Sequence, residues 1–256
     1  MQRFLGDEGL LRLGSIKSSI KDMIQNQFSI FEIDMAINQL GKSKNGGPDK
    51  ITSELLRFIF KLCPTLIKKV CHNIVDLISG RAKNHLKRFV IFLQKSNTTK
   101  TNYKMLRPIS LLSNIIKLIS HINANRIIVA LSESNLIPPF WNAYIKGRDV
   151  NSCIRSIVDN FENSTRFGIN TVMIINDIES AFDGCSRALI SDVLSHMGFG
   201  ECFVNKIWNP YLGANATLLF NNLELQEIPI TSGTGQGDPL SGVAFMISAL
   251  PALIKI

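Results

Sequence analysis

An aspartate at the end of an apolar run is the first residue whose type and position could do chemistry. Residues 172–175 are apolar and mostly branched, and Asn176 and Asp177 end the run. Such a run predicts a strand buried on both faces of a sheet, so the carboxylate would stand at the end of a rigid element. One carboxylate there suits a hard cation such as Mg²⁺, which keeps water and phosphate oxygens as its other ligands. The alternative is that Asp177 caps the element that follows.

A glycine-rich turn is the second stretch that could act chemically. Residues 233–240 are Gly-Thr-Gly-Gln-Gly-Asp-Pro-Leu. Three glycines in five positions let the backbone approach a ligand closely, and Asp238 with Pro239 predicts the start of a helix over 240–253. A strand, a glycine-rich turn and a helix N-terminus in this order can hold a phosphate or a base pair. An ordinary turn into a core helix is the alternative.

The basic charge of the chain is concentrated in one segment. The net charge is +8, and ten basic residues with no acid lie between Asp76 and Glu133, which leaves −2 for the rest. Such a one-sided segment predicts binding to nucleic acid or nucleotide phosphate. A solvated face is one alternative, and an anionic membrane surface, for which an amphipathic helix with these charges is lacking, is another. The basic residues are Arg81, Lys83, Lys87, Arg88, Lys95, Lys100, Lys104, Arg107, Lys117 and Arg126.

Length and composition argue against several classes of protein. A chain of 256 residues with 45% apolar composition can bury the core of one large domain or two subdomains. The first residues do not resemble a secretory signal, and the apolar stretch 243–254 is too short to span a bilayer, so we expect an intracellular protein, nuclear or cytoplasmic, without a membrane partner. The five scattered cysteines and four histidines have neither disulfide-framework nor zinc-site spacing.

Hydrophobic periodicity predicts a helix-rich chain with few strands. Residues 1–45 are predicted to be helical and only loosely attached to a core. Strands at 89–93 and 104–108 would form a hairpin that presents Lys95 and Arg107 together. Asp183 would cap the helix after the central strand. Further helices are predicted at 55–60, 66–78, 112–122, 154–161, 190–197 and 203–211, and a hairpin at 216–230.

Five blocks of sequence, taken together, resemble the reverse transcriptase of non-LTR (LINE-type) retrotransposons. They occur in the family's order and at its spacings, and they cover roughly residues 42–250. The blocks are Gly-Pro-Asp at 47–49, Arg-Pro-Ile-Ser-Leu-Leu at 107–112, Ala-Tyr-Ile-Lys-Gly-Arg at 143–148, Asp-x-x-x-Ala-Phe-Asp at 177–183 and Gly-x-x-Gln-Gly-Asp-Pro-Leu-Ser at 233–241.

The resemblance implies an α+β fold of the right-hand polymerase type. Residues 1–45 would be an N-terminal helical extension, 46–168 fingers-like, and 169–256 a partial palm that ends after the Gly-Gln-Gly turn and its helix. The family's Asp-Asp motif should follow that helix, and no Asp-Asp pair occurs in the sequence, which stops at Ile256. We therefore expect a chain truncated before this motif, with the thumb absent.

The resemblance also implies roles for residues of the central stretch. Asp177 corresponds to the first metal-binding and catalytic carboxylate of the palm, and the backbone carbonyl of Ile178 would be a second ligand of a Mg²⁺ ion. Phe182 lies where the family has the aromatic gate that rejects a ribose 2′-hydroxyl by its bulk.

Nucleotide-binding roles are implied in the same way for residues outside that stretch. Arg107 and Lys95 resemble the finger residues that hold the incoming triphosphate. Gln236 and Gly237 match the turn that lines the nascent base pair. The implied partners are an RNA template, a DNA primer and deoxynucleoside triphosphates.

The implied function is RNA-directed DNA polymerisation, in which two metal ions assist phosphoryl transfer to a 3′-hydroxyl. A single carboxylate cannot hold both ions, so we expect this chain to be inactive by itself. Asn176, Trp141, Gly235 and Gly242 depart from the residues that are common in the family. A non-catalytic nucleic-acid-binding remnant and a structural or interaction domain are the alternatives.

Overall fold

The structure is a computed structural model and describes residues 13–41, 47–79, 88–94, 106–208, 215–221 and 223–253. The helices are α1 (Ser18–Gln25), α2 (Ile30–Gln39), α3 (Ser53–Leu62), α4 (Pro64–Ser79), α5 (Asn114–Glu133), α6 (Val150–Phe167), α7 (Arg187–His196), α8 (Glu201–Trp208) and α9 (Leu240–Leu253). The strands are β1 (Arg88–Gln94), β2 (Leu106–Leu111), β3 (Asn215–Phe220) and β4 (Leu223–Pro229).

A mixed sheet carries these strands in the order β2-β1-β3-β4. β1 pairs antiparallel with β2, with Arg107 opposite Leu93, and β3 pairs antiparallel with β4. Both predicted antiparallel pairs are therefore confirmed, and Asn221 takes the left-handed conformation (φ 49°) expected of the turn after β3. β1 and β3 pair in parallel and join the two pairs into one sheet, which makes the fold a mixture of helices and a mixed sheet.

Helix α5 is the centre of the packing because it contributes to two hydrophobic clusters. Its later residues, such as Ile127 and Leu131, lie in a large cluster with α1, α7, α8 and α9. Its earlier residues, such as Leu118 and Ile122, lie in a smaller cluster with α2, α3 and α4. Since α1 and α2 each bury an apolar face in these clusters, the expectation that the N-terminal helices are only loosely attached to a core is wrong.

By length and composition, α5 is also apolar enough to cross a membrane. Buried core helices have the same properties, and about half of its most apolar window is buried inside the fold. Its fully buried residues, Leu118 and Ile127 among them, contact other helices of the chain. The apolarity of α5 is therefore accounted for by its packing.

The predicted central strand is not formed, which is the main correction to the sequence analysis. Residues 171–178 are irregular and exposed, with exposed fractions of 85% for Val172 and 80% for Ile174. Branched side chains favour a strand, but a strand also needs a neighbour to pair its backbone N–H and C=O groups. Among the described residues, the four strands pair with one another and none pairs with this segment.

The helix after that segment begins later than predicted. Residues 179–184 form turns, and α7 begins at Arg187 after the N-cap Ser186, whose hydroxyl accepts a hydrogen bond from Leu189 N (3.3 Å). Asp183 therefore does not cap the helix. A serine three residues further on does this, and serine suits an N-cap as well as aspartate does.

Two of the basic residues expected to meet a polyanion are buried. Arg126 is 5% exposed, and Arg88 is 2% exposed. The guanidinium of Arg126 donates to Glu32 Oε1 (2.5 Å) and to the carbonyls of Ile24 (2.9 Å) and Asn26 (2.7 Å). It thereby fastens the loop between α1 and α2 to α5. Among the described members of the basic segment, Arg107 is exposed and Lys117 half-buried, so the segment is less available to a polyanion than its sequence indicates.

The Arg126–Glu32 ion pair should contribute strongly to stability, and Arg126→Met tests this. Burial opposes ionisation of Glu32, but hydrogen bonds from Arg126 and Ser29 outweigh burial and lower the pKa of the carboxyl. Removing Arg126 leaves that charge unpaired, so we expect the free energy of unfolding in urea at neutral pH to fall by about 3–5 kcal/mol. Arg155→Met, on the exposed surface of α6, is the matched control and should change it by less than about 0.5 kcal/mol.

The pH dependence of the same pair provides a second measurement. Because the pKa of Glu32 is lowered in the folded state, its stabilisation is complete above the ordinary value of 4.5 and is lost as the pH falls through the folded value. Between neutral pH and pH values below 4.5, the difference between wild type and Arg126→Met should therefore shrink. A difference that is independent of pH would contradict the assignment to this ion pair.

Thiol accessibility should divide the cysteines into two classes. Cys63, Cys153 and Cys202 are exposed, whereas Cys71 and Cys185 are buried. Burial raises the pKa of Cys71 to about 12 and that of Cys185 above its ordinary value. Since the thiolate is the reactive form, iodoacetamide at about pH 8 should modify the three exposed cysteines of the native chain and all five after denaturation. Rapid native modification of Cys71, detected by peptide mass spectrometry, would contradict the packing of α4.

Candidate functional site

The glycine-rich turn between β4 and α9 is tightly closed on itself. Gly233 and Gly237 have φ values of 76° and 105°, which favour glycine. Asp238 N donates to Gly235 O (3.1 Å), and Leu240 N donates to Asp238 Oδ1 (3.0 Å). The side chain of Asp238 thus satisfies one of the first backbone N–H groups of α9. The predicted helix start at this position is confirmed.

On one side the turn lies against strand β2. Ser110 N donates to the carbonyl of Gln236 (2.7 Å). A Cβ at position 237 would lie 2.9 Å from the carbonyl oxygen of Ser110, and one at position 235 would lie 2.6 Å from Ser110 Oγ and 3.3 Å from Arg88 Nη1. The backbones therefore approach so closely that a side chain at either position would have to displace its neighbours. Glycine at position 235 therefore leaves room for the side chains of Ser110 and Arg88.

On the other side the turn lies against Phe182 and Asp183. Thr234 N donates to the carbonyl of Phe182 (2.9 Å), and Gln236 Nε2 donates to Asp183 Oδ2 (3.5 Å). A Cβ at position 233 would lie 2.7 Å from the carbonyl oxygen of Asp183, so this contact also depends on glycine. The structure thus brings three of the predicted site residues, Phe182, Gln236 and Gly237, to one place.

Asp183 is a residue of this site that the sequence analysis misassigned. It is exposed, and its carboxylate meets the amide of Gln236 instead of capping a helix. Its place in the Ala-Phe-Asp end of the fourth block was the signal that could have identified it.

The first two blocks of the resemblance are also in contact. The Asp49 carboxylate accepts a hydrogen bond from the hydroxyl of Ser113, the N-cap of α5. Gly47 lies against the carbonyl of Leu112, where a side chain would collide with the backbone. The turn at 47–49 is therefore fastened to the end of the block that contains Arg107 and Ser110.

The third block reaches the fourth block, and α9 directly after the fifth, through Tyr144. The ring of Tyr144 lies against Gly242 on α9, where a Cβ would come within 2.6 Å of the ring carbon Cγ. The same ring makes an edge-to-face contact with Phe182, with 6.3 Å between the centroids. All five blocks are consequently linked by direct contacts, although they are scattered over most of the chain.

The remaining predicted site residues are not joined to the turn by the described contacts. Asp177 is exposed in the irregular segment five residues before Phe182, followed by the exposed Ile178. Arg107 is exposed on β2, three residues before Ser110. Lys95 lies outside the described residues. Asp177 is accessible to solvent, so a metal ion that arrives with a nucleotide can reach it, but its relation to the turn stays a prediction.

Behind the turn, two basic groups of α5 lie near the buried carboxyl of Asp238. Burial lowers the pKa of His121, with nearby Asp238 opposing this and nearby Lys117 adding to it. Asp238 is itself buried, and both Lys117 and His121 are half-buried. Sequence reasoning missed this group of charges, although the spacing of four residues places Lys117 and His121 on one face of α5.

A divalent metal ion would find few protein ligands here. Within the described ranges, no group of three or more His, Cys, Asp or Glu side chains is arranged to hold an ion. Mg²⁺ is commonly bound by one or two carboxylates together with water and substrate phosphates. The exposed carboxylate of Asp177 with the carbonyl of Ile178 therefore fits an ion that arrives with a triphosphate.

Comparisons with known proteins identify the family of this chain. The sequence profile of the family described as "Reverse transcriptase (RNA-dependent DNA polymerase)" matches residues 93–255, well over half of the chain. A transposon TX1 uncharacterized 149 kDa protein of Xenopus laevis is 24% identical over 91% of this chain and 18% of its own length. The retrovirus-related Pol polyprotein from the type-2 retrotransposable element R2DM of Drosophila melanogaster is 27% identical over 85% of this chain and 20% of its own length.

The resemblance found in the sequence is thereby confirmed. The chain spans about a fifth of the length of these two relatives. The matched region includes four of the five blocks, from Arg107 to the glycine-rich turn, and therefore the contacts among these four blocks. The chain belongs to the reverse transcriptase (RNA-dependent DNA polymerase) family.

Proposed function

We propose that this chain forms the nucleotide-binding part of a retrotransposon reverse transcriptase, which copies an RNA template onto a DNA primer. The observation that carries the proposal is the contact of the Gly-Gln-Gly turn with β2 on one side and with Phe182 and Asp183 on the other. A turn held between two elements presents its backbone in one position, which is what recognition of a base pair requires.

The residues around the turn would have different roles in nucleotide binding. Gln236 and Gly237 line the nascent base pair, and Phe182, half-buried beside them, excludes a ribose 2′-hydroxyl by its bulk. Arg107 with Lys95 holds the triphosphate, since a guanidinium can bind phosphate oxygens in a bidentate manner. These groups act by positioning and by neutralising charge, which supply most of the catalysis in phosphoryl transfer.

Divalent-metal dependence is general in the family, and we propose Mg²⁺ as the ion for this chain. Asp177 would hold it through its carboxylate, assisted by the carbonyl of Ile178. When bound, the ion supplies neutralisation of phosphate charge. Asp177 itself contributes an accessible carboxylate oxygen as a ligand, and residues 176–180 include no positively charged side chain.

We also propose a division into an N-terminal extension (1–45), fingers (46–168) and a partial palm (169–256). The hydrogen bond between Ser110 and Gln236 would then join fingers to palm at the nucleotide itself. Because α1 packs into the large cluster and α2 into the smaller one, the extension would support the other two parts.

A non-catalytic nucleic-acid-binding protein is the second candidate function. The observation in its favour is that Asp177 follows an unpaired, exposed run of residues and not a strand. In that case the exposed basic residues and the turn would bind RNA, and the carboxylate would not be needed.

Both candidate functions predict salt-dependent binding to RNA, which filter binding with a primed RNA template can measure. Because binding releases counterions, the affinity should fall steeply with salt, by about 0.7–0.9 log units per log unit of salt for each phosphate contacted. Arg107→Gln removes one exposed charge and should reduce the slope of log affinity against log salt by the value for one phosphate contact, about 0.7–0.9. Arg155→Gln is the matched control. It removes an equal, exposed charge from α6, outside the five blocks, and should leave the slope unchanged. Binding that does not depend on salt would contradict both functions.

Primer extension tests whether this chain has polymerase activity by itself. We expect the 256-residue chain by itself to extend no primer with Mg²⁺ or Mn²⁺, because two ions need more ligands than Asp177 provides. Asp177→Ala should leave the binding of primed template nearly unchanged. Templated incorporation by the wild type that is lost in Asp177→Ala and kept in Asp159→Ala, an exposed α6 residue, would contradict this expectation.

A further inference from the structure

Tyr144 adopts a backbone conformation that tyrosine rarely takes. Its φ is 62°, in the left-handed region that glycine and asparagine favour. Hydrogen bonds on both sides hold the loop in this shape: Arg148 Nη1 donates to the carbonyls of Pro138 (2.9 Å) and Trp141 (2.5 Å). Trp141 Nε1 donates to the carbonyl of Ala143 (2.8 Å). A strained residue that its surroundings hold so firmly is a reason to look for a function.

The ring of Tyr144 is the first member of a row of four aromatic rings. It meets Phe182 edge to face at 75°, Phe182 lies 5.9 Å from Phe245, and Phe245 lies 6.1 Å from Trp141. Gly242 leaves the space that the Tyr144 ring occupies against α9. Phe182 therefore contacts two rings, one from the loop and one from α9.

Stability alone does not account for a tyrosine at this position. Tyr144 is 53% exposed, so much of its surface remains in contact with solvent. Glycine or asparagine would suit the backbone better. What tyrosine adds is a rigid ring beside Phe182, and an edge-to-face contact fixes the direction in which that ring points.

We propose that Tyr144 is a positioning residue that holds the Phe182 ring in place and thereby sets how strictly the site rejects a ribose 2′-hydroxyl. The inference rests on the proposed function, because it assumes that Phe182 faces the sugar of a bound nucleotide. A steric gate discriminates only if it cannot move aside. Phe245 blocks one direction of movement of the Phe182 ring, and Tyr144 blocks another.

The test compares the affinities of a deoxynucleotide and a ribonucleotide in the complex of the full chain with a primed RNA template. The primer ends in a dideoxynucleotide, and the complementary dATP or ATP is titrated. Trp141 is the reporter because its ring contacts Phe245, which contacts Phe182. The other of the two tryptophans, Trp208, is replaced by Phe in every variant so that the fluorescence comes from Trp141 alone.

The key variant is Tyr144→Gly, which removes the ring but suits the left-handed backbone. We expect it to unfold at the same urea concentration as the reference or a higher one, and to lose about 10-fold or more of the preference for dATP over ATP. Tyr144→Phe keeps the ring and should retain the preference. Gly242→Ala inserts a methyl group against the Tyr144 ring and should lower the preference without changing the tyrosine.

A purely structural role for Tyr144 predicts a different result. The preference for dATP would then be unchanged in Tyr144→Gly, and this outcome overturns the inference. Absence of any nucleotide binding by the reference complex also overturns it. Failure of the proposed function is distinguishable, because the reference complex would then bind neither dATP nor ATP, whereas a purely structural role for Tyr144 leaves the preference for dATP in place.

Discussion

The close approach of the glycine-rich turn to its neighbours is the constraint on which the candidate site depends. Gly235 and Gly237 face Ser110 on β2, and Gly233 faces the backbone of Asp183. At positions 233 and 237 a Cβ would meet backbone atoms, so these positions require glycine, whereas at position 235 it would meet the side chains of Ser110 and Arg88. The same closeness lets backbone hydrogen bonds fix the turn from both sides, and a fixed backbone can line a ligand without any large side chain.

The position of the glycine-rich turn depends on the long helix α5. Strand β2, which carries Ser110, leads within a few residues into α5, and Ser113 caps that helix. The buried pair of Arg126 and Glu32 fastens the other half of α5 to the N-terminal helices. Two clusters and one ion pair thus hold α5 in place, and β2 directly precedes α5. Residues outside the candidate site therefore contribute to the geometry of the turn.

Local structure, including both antiparallel strand pairs, was predictable from the sequence, whereas contacts between distant segments and burial were not. Periodicity, turn residues and caps identified the described helices and both antiparallel strand pairs, because these features depend on neighbouring residues. The composition of 172–175 suggested a strand, but the formation of a strand depends on a partner elsewhere in the chain. The choice of Ser186 over Asp183 as a cap, and the burial of Arg126 against Glu32, likewise depend on tertiary contacts that no local pattern encodes.

Two departures from the family pattern acquire a common physical reason in the structure. Gly235 is adjacent to the buried guanidinium of Arg88, so positive charge reaches this place from β1 although position 235 has no side chain. Gly242 makes room for the ring of Tyr144, so an aromatic ring from a loop occupies the surface of α9 where a side chain would otherwise stand. In both places the glycine leaves space that a group from another element occupies. At each departure one packed group therefore replaces another, and no packing is lost, because a group from another element fills the space beside the glycine.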